Sequence, residues 1–328
     1  MSAMEVVSAG LLTTVQDLGR EGFGPLGVSP SGAADAIALR IGNRLAGNVE
    51  GAAALEMTLL GGTFLFQEGA IAALTGSDFG ATMDGVAVPP WSSFEVQPGQ
   101  TLRFGPTRFG ARCYLCVQGG VTVEPFLGSA STHLLSGLGG HAGRALRKGD
   151  VVKIGAAGGS TRAGTPASPG RRPSYRPRKV APQALERLVP RKVLRVTPGP
   201  QTDCFPKAGQ KVFYSSTYGV SEDANRMGLR LEGPAVPGGA QGEMISEGVS
   251  LGAIQIAAGG MPIILFVEQQ TTGGYAKMAN VITVDFSSLG QLRPRDRVRF
   301  ERVDFATARK LLLEQEKLLA SKELIVEG

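Results

Sequence analysis

Two clusters of polar side chains on glycine-rich stretches carry the residue types that could do chemistry. The first lies in TTVQDLGREGFGPLGVSPSGAADAIALRIGNRLAG (13–47) and brings Gln16, Asp17, Arg20, Ser31, Asp35 and Asn43. The second follows Glu268 and Gln269 and brings Gln270, Thr271, Thr272, Gly273, Gly274, Tyr275 and Lys277. Amides, hydroxyls and a cation around paired glycines can hydrogen-bond a small polar substrate or a phosphate, because glycine lets backbone approach a ligand closely. Polar groups on loops held by a rigid scaffold are where binding concentrates. The competing reading is structural: solvated charges on an irregular connection in the first cluster, and an ordinary turn in the second.

Each cluster needs an element to hold it. The second sits at the end of the strand-like run 262–267, and a strand-to-loop transition displays side chains from a fixed base. After the first, apolar residues at 37, 38, 41 and 45 predict a helix over 35–45, with Asp35 capping it or lining a site. Runs at 53–58, 62–67 and 71–75, separated by glycines, predict strands. Asp84-Gly85 predicts a two-residue hairpin. TLRFG (101–105) predicts a strand that pairs with 111–117. VFYSSTYGV (212–220) reads as a strand, and Asp304 as the N-cap of an amphipathic helix to about residue 322.

The two halves echo one another. RIGNRLAG (40–47) matches RMGLRLEG (226–233) at five positions, and LRKGD before VVKI (146–154) matches LRPRD before RVRF (292–300). Two copies suggest two related domains about a pseudo-twofold axis rather than a solenoid. The expected organisation is a first domain over 1–156, a basic linker over 157–190 and a second domain over 191–328.

Composition narrows the class. The 328 residues are 42% hydrophobic and 19% charged, enough to bury two cores. Forty-seven glycines and twenty prolines, spread along the chain, fit a turn-rich, mainly β protein. The net charge of +6 does not signal a nucleic-acid surface, because residues 151–195 hold eleven Lys/Arg against one acid and the rest of the chain is acidic. Scarce aromatics argue against stacking single-stranded bases. Three cysteines, Cys113, Cys116 and Cys204, point to a reducing compartment. Cys113 and Cys116 lie on a strand reading, where residues three apart face opposite ways, so two buried thiols are expected rather than a metal or redox pair. GLGGHAG (137–143) lacks the Lys-Ser/Thr of a phosphate loop, and His133 and His141 have no metal-ligand spacing. With no signal-peptide pattern, and the apolar tract 251–267 broken by Gln255, Gly259, Gly260 and Pro262, the expectation is a cytoplasmic chain with no membrane partner.

The motifs TTVQDLGR (13–20), SGAADAIALRIGN (31–43), ALTGSDF (73–79), GSASTHL (128–134), GRALRKGD (143–150), NRMGLRLEG (225–233), SEGVSLGAIQI (246–256) and QTTGGY (270–275), in that order, carry a family resemblance. The chain resembles the C subunit of bacterial ATP-dependent 5-oxoprolinase, a family also labelled allophanate hydrolase subunit 2 or biotin-dependent carboxyltransferase. It is similar as well to the carboxyltransferase part of urea carboxylase. The resemblance implies two tandem cyclophilin-like β-barrels with few helices, companion B and A subunits of 5-oxoprolinase, and ATP-dependent opening of 5-oxo-L-proline to L-glutamate.

It also implies a site. Gln16, Asp17, Arg20, Ser31 and Asp35 would line one wall, and Gln255, Gln270, Thr271, Thr272, Tyr275 and Lys277 the other, with Asn43, Arg226, Gly273 and Gly274 contributing to substrate binding. Arg20 or Lys277 would neutralise phosphate or carboxylate oxygens. Asp17 or Asp35 would hold the Mg²⁺ of ATP or take a proton, while Asp17 and Arg20 could equally form an internal ion pair. No metal or biotin is expected to be bound by this chain alone. Two alternatives stay open: a carboxyltransferase acting on urea or a related amide with carboxybiotin, and a non-catalytic binder of a small protein like the B subunit.

Overall fold

The computed structural model describes residues 2–156, 175–238 and 244–328, and strands dominate it. The chain forms two units that are not contiguous in sequence: Met1–Leu18, Ile37–Arg187 and Lys322–Gly328 make one, and Gly19–Ala36 with Leu188–Ser321 the other.

The first unit has two seven-stranded sheets. One runs, in spatial order, through Val121–Thr122, Val151–Ile154, Ala3–Ser8, Thr63–Phe66, Thr101–Arg103, Thr82–Met83 and Val86–Ala87. The other runs through Leu12–Gln16, Ala54–Thr58, Arg112–Val117, Ala70–Gly76, Ser92–Val96, Arg178–Val180 and Ile325–Glu327. Alternate residues such as Met4, Val6, Phe64 and Phe66 from the first, and Val15, Leu55, Met57, Leu74 and Leu115 from the second, share one apolar core. The hairpin expected at Asp84-Gly85 forms, with both residues at positive φ (47° and 90°), as a tight turn between twisted strands requires.

One pairing differs from expectation. Arg112–Val117 joins Ala54–Thr58 and Ala70–Gly76, not Thr101–Arg103, which pairs with Thr63–Phe66 and Thr82–Met83. All six residues of 112–117 are buried, so this strand needs neighbours on both edges and a cover on both faces. The helix Ala36–Ala46 packs against it, so closely that a Cβ on Gly42 would lie 2.6 Å from Thr75 Oγ1 and 2.7 Å from Cys116 Sγ. Cys113 joins the apolar core while Cys116 faces the helix, and burial pushes both thiols well above the ordinary range. Of the expected linker, residues 157–174 lie outside the described residues. Those that follow give the strand Arg178–Val180, paired with Ser92–Val96 and Ile325–Glu327, and the helix Pro182–Leu188.

The second unit is a closed barrel of Val193–Pro198, Lys277–Val281, Ala253–Ile256, Pro262–Leu265, Gly228–Glu232, Tyr218–Val220 and Arg297–Arg302, shut by a parallel pairing of the first and last. Leu194, Val196, Ile254, Ile256, Ile264, Met278, Val298 and Phe300 fill it. The strand expected over 212–220 is a helix, Lys207–Ser215, followed by the short strand Tyr218–Val220. Gly209 and Phe213, four apart, form its buried stripe, and the Phe213 ring stacks on Phe300 at 4.5 Å, which outweighs the β propensity of the aromatics. The helix Phe305–Ala320 forms as expected, its Thr307 amide donating to Asp304 Oδ1 at 2.7 Å.

The two echoes have different fates. RIGNRLAG lies mostly in the helix Ala36–Ala46, whereas RMGLRLEG contains the strand Gly228–Glu232. The second echo holds: Asp150 Oδ2 accepts from Arg147 N at 2.7 Å and Asp296 Oδ2 from Arg293 N at 2.8 Å, each turn leading into a strand with alternate core residues. Among the described residues no helix is long and apolar enough to cross a membrane.

Candidate functional site

The first polar cluster is divided between the two units. Gln16, Asp17 and Asn43 belong to the first unit, and Arg20, Ser31 and Asp35 to the second. Gln16 Nε2 donates to Thr14 Oγ1 and the Thr132 carbonyl at 3.0 and 3.1 Å. Asp17 accepts from Ser129 Oγ (2.7 Å), Ser131 Oγ (2.5 Å) and Ala130 N (2.7 Å), so both carboxylate oxygens anchor the loop 129–131. Asn43 spends its amide on the Glu50 and Ala52 carbonyls and its oxygen on Asn48.

In the second unit, Gly19–Ala36 is fixed just as tightly. Arg20 is buried, and its amide donates to the Pro30 carbonyl at 2.8 Å. Ser31 sits buried at φ 56°, a conformation that non-glycine residues hold only under tight packing. Asp35 Oδ2 accepts from Gln291 Nε2 at 2.8 Å, and a Cβ on Gly290 would lie 2.2 Å from the Ala34 carbonyl oxygen. Arg226 is 6% exposed: its Nε pairs with Glu268 and its Nη2 donates to the Gly32 carbonyl. These residues hold the segment in place.

In the second cluster two under-satisfied buried donors lie side by side on one strand pairing. On Ala253–Ile256, Ile254 and Ile256 point into the barrel, which turns Gln255 outward. Strand pairing sets Gln255 opposite Lys277 on one side and opposite Ile263 on the other, and Ile263 opposite Arg230. Paired residues share a face, so Arg230, Ile263, Gln255 and Lys277 form one row across the outer wall, neighbours about 5 Å apart at Cβ. A cleft of about 190 Å³ opens along this wall, with Ile263 and Leu265 as apolar floor and Asn225, Arg230, Gln255, Gln270 and Tyr275 at its polar edges.

A two-stranded ribbon, Glu247–Gly248 against Thr272–Gly273, covers the end of the row. Gly273 lies directly over Gln255: a Cβ there would stand 2.5 Å from Gln255 Nε2 and 3.4 Å from Gln270 Nε2. Thr271 ties the ribbon through its carbonyl, which accepts from Val249 N at 3.1 Å, while Thr272 and Gly274 are exposed. Gln255 is 1% exposed and its Nε2 has no hydrogen-bond partner among the described residues. Lys277 is 3% exposed; its Nζ meets the Glu247 carboxylate and no other group among the described residues. Buried donors left short of acceptors are costly, and they mark a place built to receive one. Lys277 holds the Glu247 carboxyl below the ordinary range, with Gln201 Nε2 assisting at 2.7 Å.

Arg230, Glu247, Gln201 and the Ile263–Leu265 floor are not among the residues expected from sequence. Arg230 and Ile263 could have been found by alternation against core neighbours, but nothing near Glu247 announces a lysine thirty residues later. The glycine run 137–143 closes on itself: amides 137, 138, 143 and 144 donate to carbonyls of the same loop, and a Cβ on Gly143 would lie 1.9 Å from the Gly137 oxygen. His133 Nδ1 accepts from Ser136 N at 3.1 Å. Among the described residues no group of three or more His, Cys, Asp or Glu could hold a metal ion.

Comparison with known proteins agrees with this architecture. The family model for the carboxyltransferase domain, subdomain A and B, matches residues 26–302. The chain is 36% identical to the C subunit of 5-oxoprolinase from Escherichia coli over 96% of both chains, and 34% identical to that of Haemophilus influenzae over the same shares. It is 32% identical to the urea amidolyase of Lachancea kluyveri over 98% of its own length but 18% of that protein. The crystal structure of the Kluyveromyces lactis urea carboxylase superposes with a TM-score of 0.84 at 30% identity, covering 99% of this chain and 30% of that one. The chain belongs to the family of the carboxyltransferase domain, subdomain A and B, alongside the C subunit of 5-oxoprolinase.

Proposed function

We propose that this chain is the C subunit of an ATP-dependent 5-oxoprolinase, a heteromeric enzyme completed by B and A subunits, and that its outer barrel wall holds the cyclic amide. The similarity to the C subunits of two bacterial 5-oxoprolinases, along nearly the whole of each chain, supports the activity. The observation that carries the site is the pair of under-satisfied buried donors, Gln255 Nε2 and Lys277 Nζ, side by side beneath the ribbon. The ring of 5-oxo-L-proline packs on Ile263 and Leu265, and its carboxylate oxygens accept from Gln255 and Lys277. Gln270 and Tyr275 close the rim.

The carboxylates of the first cluster do not suit Mg²⁺. Magnesium needs a carboxylate edge with several waters. Both oxygens of Asp17 are bonded to the protein's own donors, and Asp35 is buried against Gln291. We therefore assign the metal of ATP to the companion subunits. Asp17, Asp35, Arg226 and Asn43 then act as scaffolding for the chain rather than as contacts to substrate.

The test is glutamate release from 5-oxo-L-proline and ATP by this chain mixed with its B and A subunits. Activity that needs all three, and falls on the order of a hundredfold in Gln255→Ala, supports the reading. Turnover stimulated by urea in place of 5-oxo-L-proline overturns the substrate and favours the carboxyltransferase reading that the urea amidolyase similarity supports.

A further inference from the structure

We infer that Glu247 is an internal stand-in for the acidic group of a ligand: it occupies the Lys277 ammonium from the ribbon, and a carboxylate or phosphoryl group entering the cleft takes its place. The inference rests on the cleft of the previous section being the ligand site, and it adds what that site selects.

The two partners of this ion pair are unequally placed. The Lys277 side chain is 4% exposed and fixed on a barrel strand, whereas Glu247 is 46% exposed and belongs to a strand of two residues. That strand pairs with Thr272–Gly273 in a separate two-stranded sheet rather than in the barrel. An isolated two-stranded ribbon is marginally stable in water, and an exposed carboxylate regains its hydration when it leaves. A buried ammonium cannot do so; without an anion its charge is strongly disfavoured. Lys277 therefore requires an anion, while Glu247 is dispensable as soon as another arrives.

The surroundings already suit that replacement. Gln201 bridges the pair, accepting from Lys277 N through Oε1 at 3.1 Å and donating to Glu247 through Nε2 at 2.7 Å. When Glu247 withdraws, the Gln201 amide stays tied to the barrel strand with its donor vacated. Gln255 Nε2, opposite Lys277, already lacks an acceptor among the described residues. One ammonium and two amide donors then face the same place, which matches a group with two or three anionic oxygens and not a single neutral carbonyl. A neutral amide brings nothing that can displace Glu247. The site thus discriminates an acid from its own carboxamide by a competition built into the chain.

The experiment is calorimetric titration of the assembled complex with 5-oxo-L-proline, its neutral carboxamide and inorganic phosphate, using the natural chain, Glu247→Gln and Lys277→Met. Glu247→Gln removes the competing charge on an exposed ribbon without touching the barrel. The expected result is acid binding about tenfold tighter in Glu247→Gln, with the carboxamide changed less than about twofold, and acid binding lost in Lys277→Met while carboxamide binding persists. A gain confined to 5-oxo-L-proline identifies a carboxylate subsite, and a gain confined to phosphate identifies a phosphoryl subsite. Equal or weaker binding of both anions in Glu247→Gln overturns the inference, because Glu247 then positions Lys277 instead of competing for it. Glutamate release is read in parallel. Its persistence without any gain in Glu247→Gln sinks the stand-in and leaves the oxoprolinase reading intact, whereas a gain in binding with no glutamate does the reverse.

Discussion

Gln255 and Lys277 stand opposite one another on neighbouring antiparallel strands, just past a register shift between Ile254 and Gln255, and both side chains leave the barrel on its outer side. The shift is what allows this. It places the extra residue, Met278, in the core and returns Lys277 to the same face as Gln255, so that two donors meet where regular pairing would separate them. The pairing of these two donors depends on that local irregularity, and their cover on the ribbon above it.

The ribbon's closeness gives a direct test. Gly273→Ala puts a Cβ at 2.5 Å from Gln255 Nε2 and must displace the amide, whereas a Cβ on Gly248, on the other strand of the ribbon, meets nothing within 4 Å. Gly273→Ala should lower kcat/KM for the cyclic amide by about ten- to a hundredfold, and Gly248→Ala should leave it within about twofold. Steady-state kinetics of the two variants side by side check this; equal effects would mean the Gln255 amide does not face substrate.

Arg226 and Glu268 form a buried ion pair, 6% and 2% exposed, that also holds the Gly32 carbonyl. Removing one partner leaves an uncompensated charge, so Glu268→Ala should cost about 3–5 kcal/mol. Urea unfolding measures it. The double variant Arg226→Met/Glu268→Leu should recover part of the loss, because no charge then remains buried.

Asp17 is expected to matter for stability rather than for chemistry. Its carboxylate is the acceptor for two hydroxyls and one amide of the loop 129–131. Asp17→Ala should destabilise the chain by about 1–3 kcal/mol, with kcat per folded molecule retained. A collapse of kcat in a fully folded Asp17→Ala protein would restore this residue to the site.

Asp150 gives a pH dependence of known sign. A two-pronged hydrogen bond from Arg144, at 2.7 and 2.9 Å, holds its carboxyl far below the ordinary range, helped by the Arg147 amide and by His141. A depressed folded value means that the contribution to stability is complete above the unfolded value of about 3.9 and is lost as pH falls through the folded one. Asp150→Asn should therefore be less stable than the natural chain at pH 7, and the gap should close progressively below about pH 4. Thermal unfolding across that range would show it.

How far the sequence reveals this molecule varies with the distance between partners. Local signals are reliable: Asp304 caps its helix, Asp84-Gly85 makes its turn, and the period-2 runs near 54–58, 63–66 and 70–76 are strands. Five identities between RIGNRLAG and RMGLRLEG are not, because the same residues serve a helix packed on Thr75 and Cys116 in one case and a barrel strand in the other. Neighbours, not propensity, decide each. The polar residues 270–277 include the strand of the ribbon that lies over Gln255. Asp35 and Arg226 have the same chemical character but are buried as internal fastenings, a difference visible only once Gly32, Glu268 and Gln291 are known to lie beside them. Glu247 gives no sign, since its meaning comes entirely from Lys277.

The placement of Gly19–Ala36 in the second unit sets an order of events during synthesis. These eighteen residues emerge early, yet their partners Arg226 and Gln291 leave the ribosome some two hundred residues later, a wait of roughly 10–50 s at ordinary elongation rates. Throughout that interval Asp35 and the Gly32 carbonyl must remain hydrated and unclaimed, while the strands before and after them are already able to pair. The nascent chain therefore carries an open loop that only its own distant half can close.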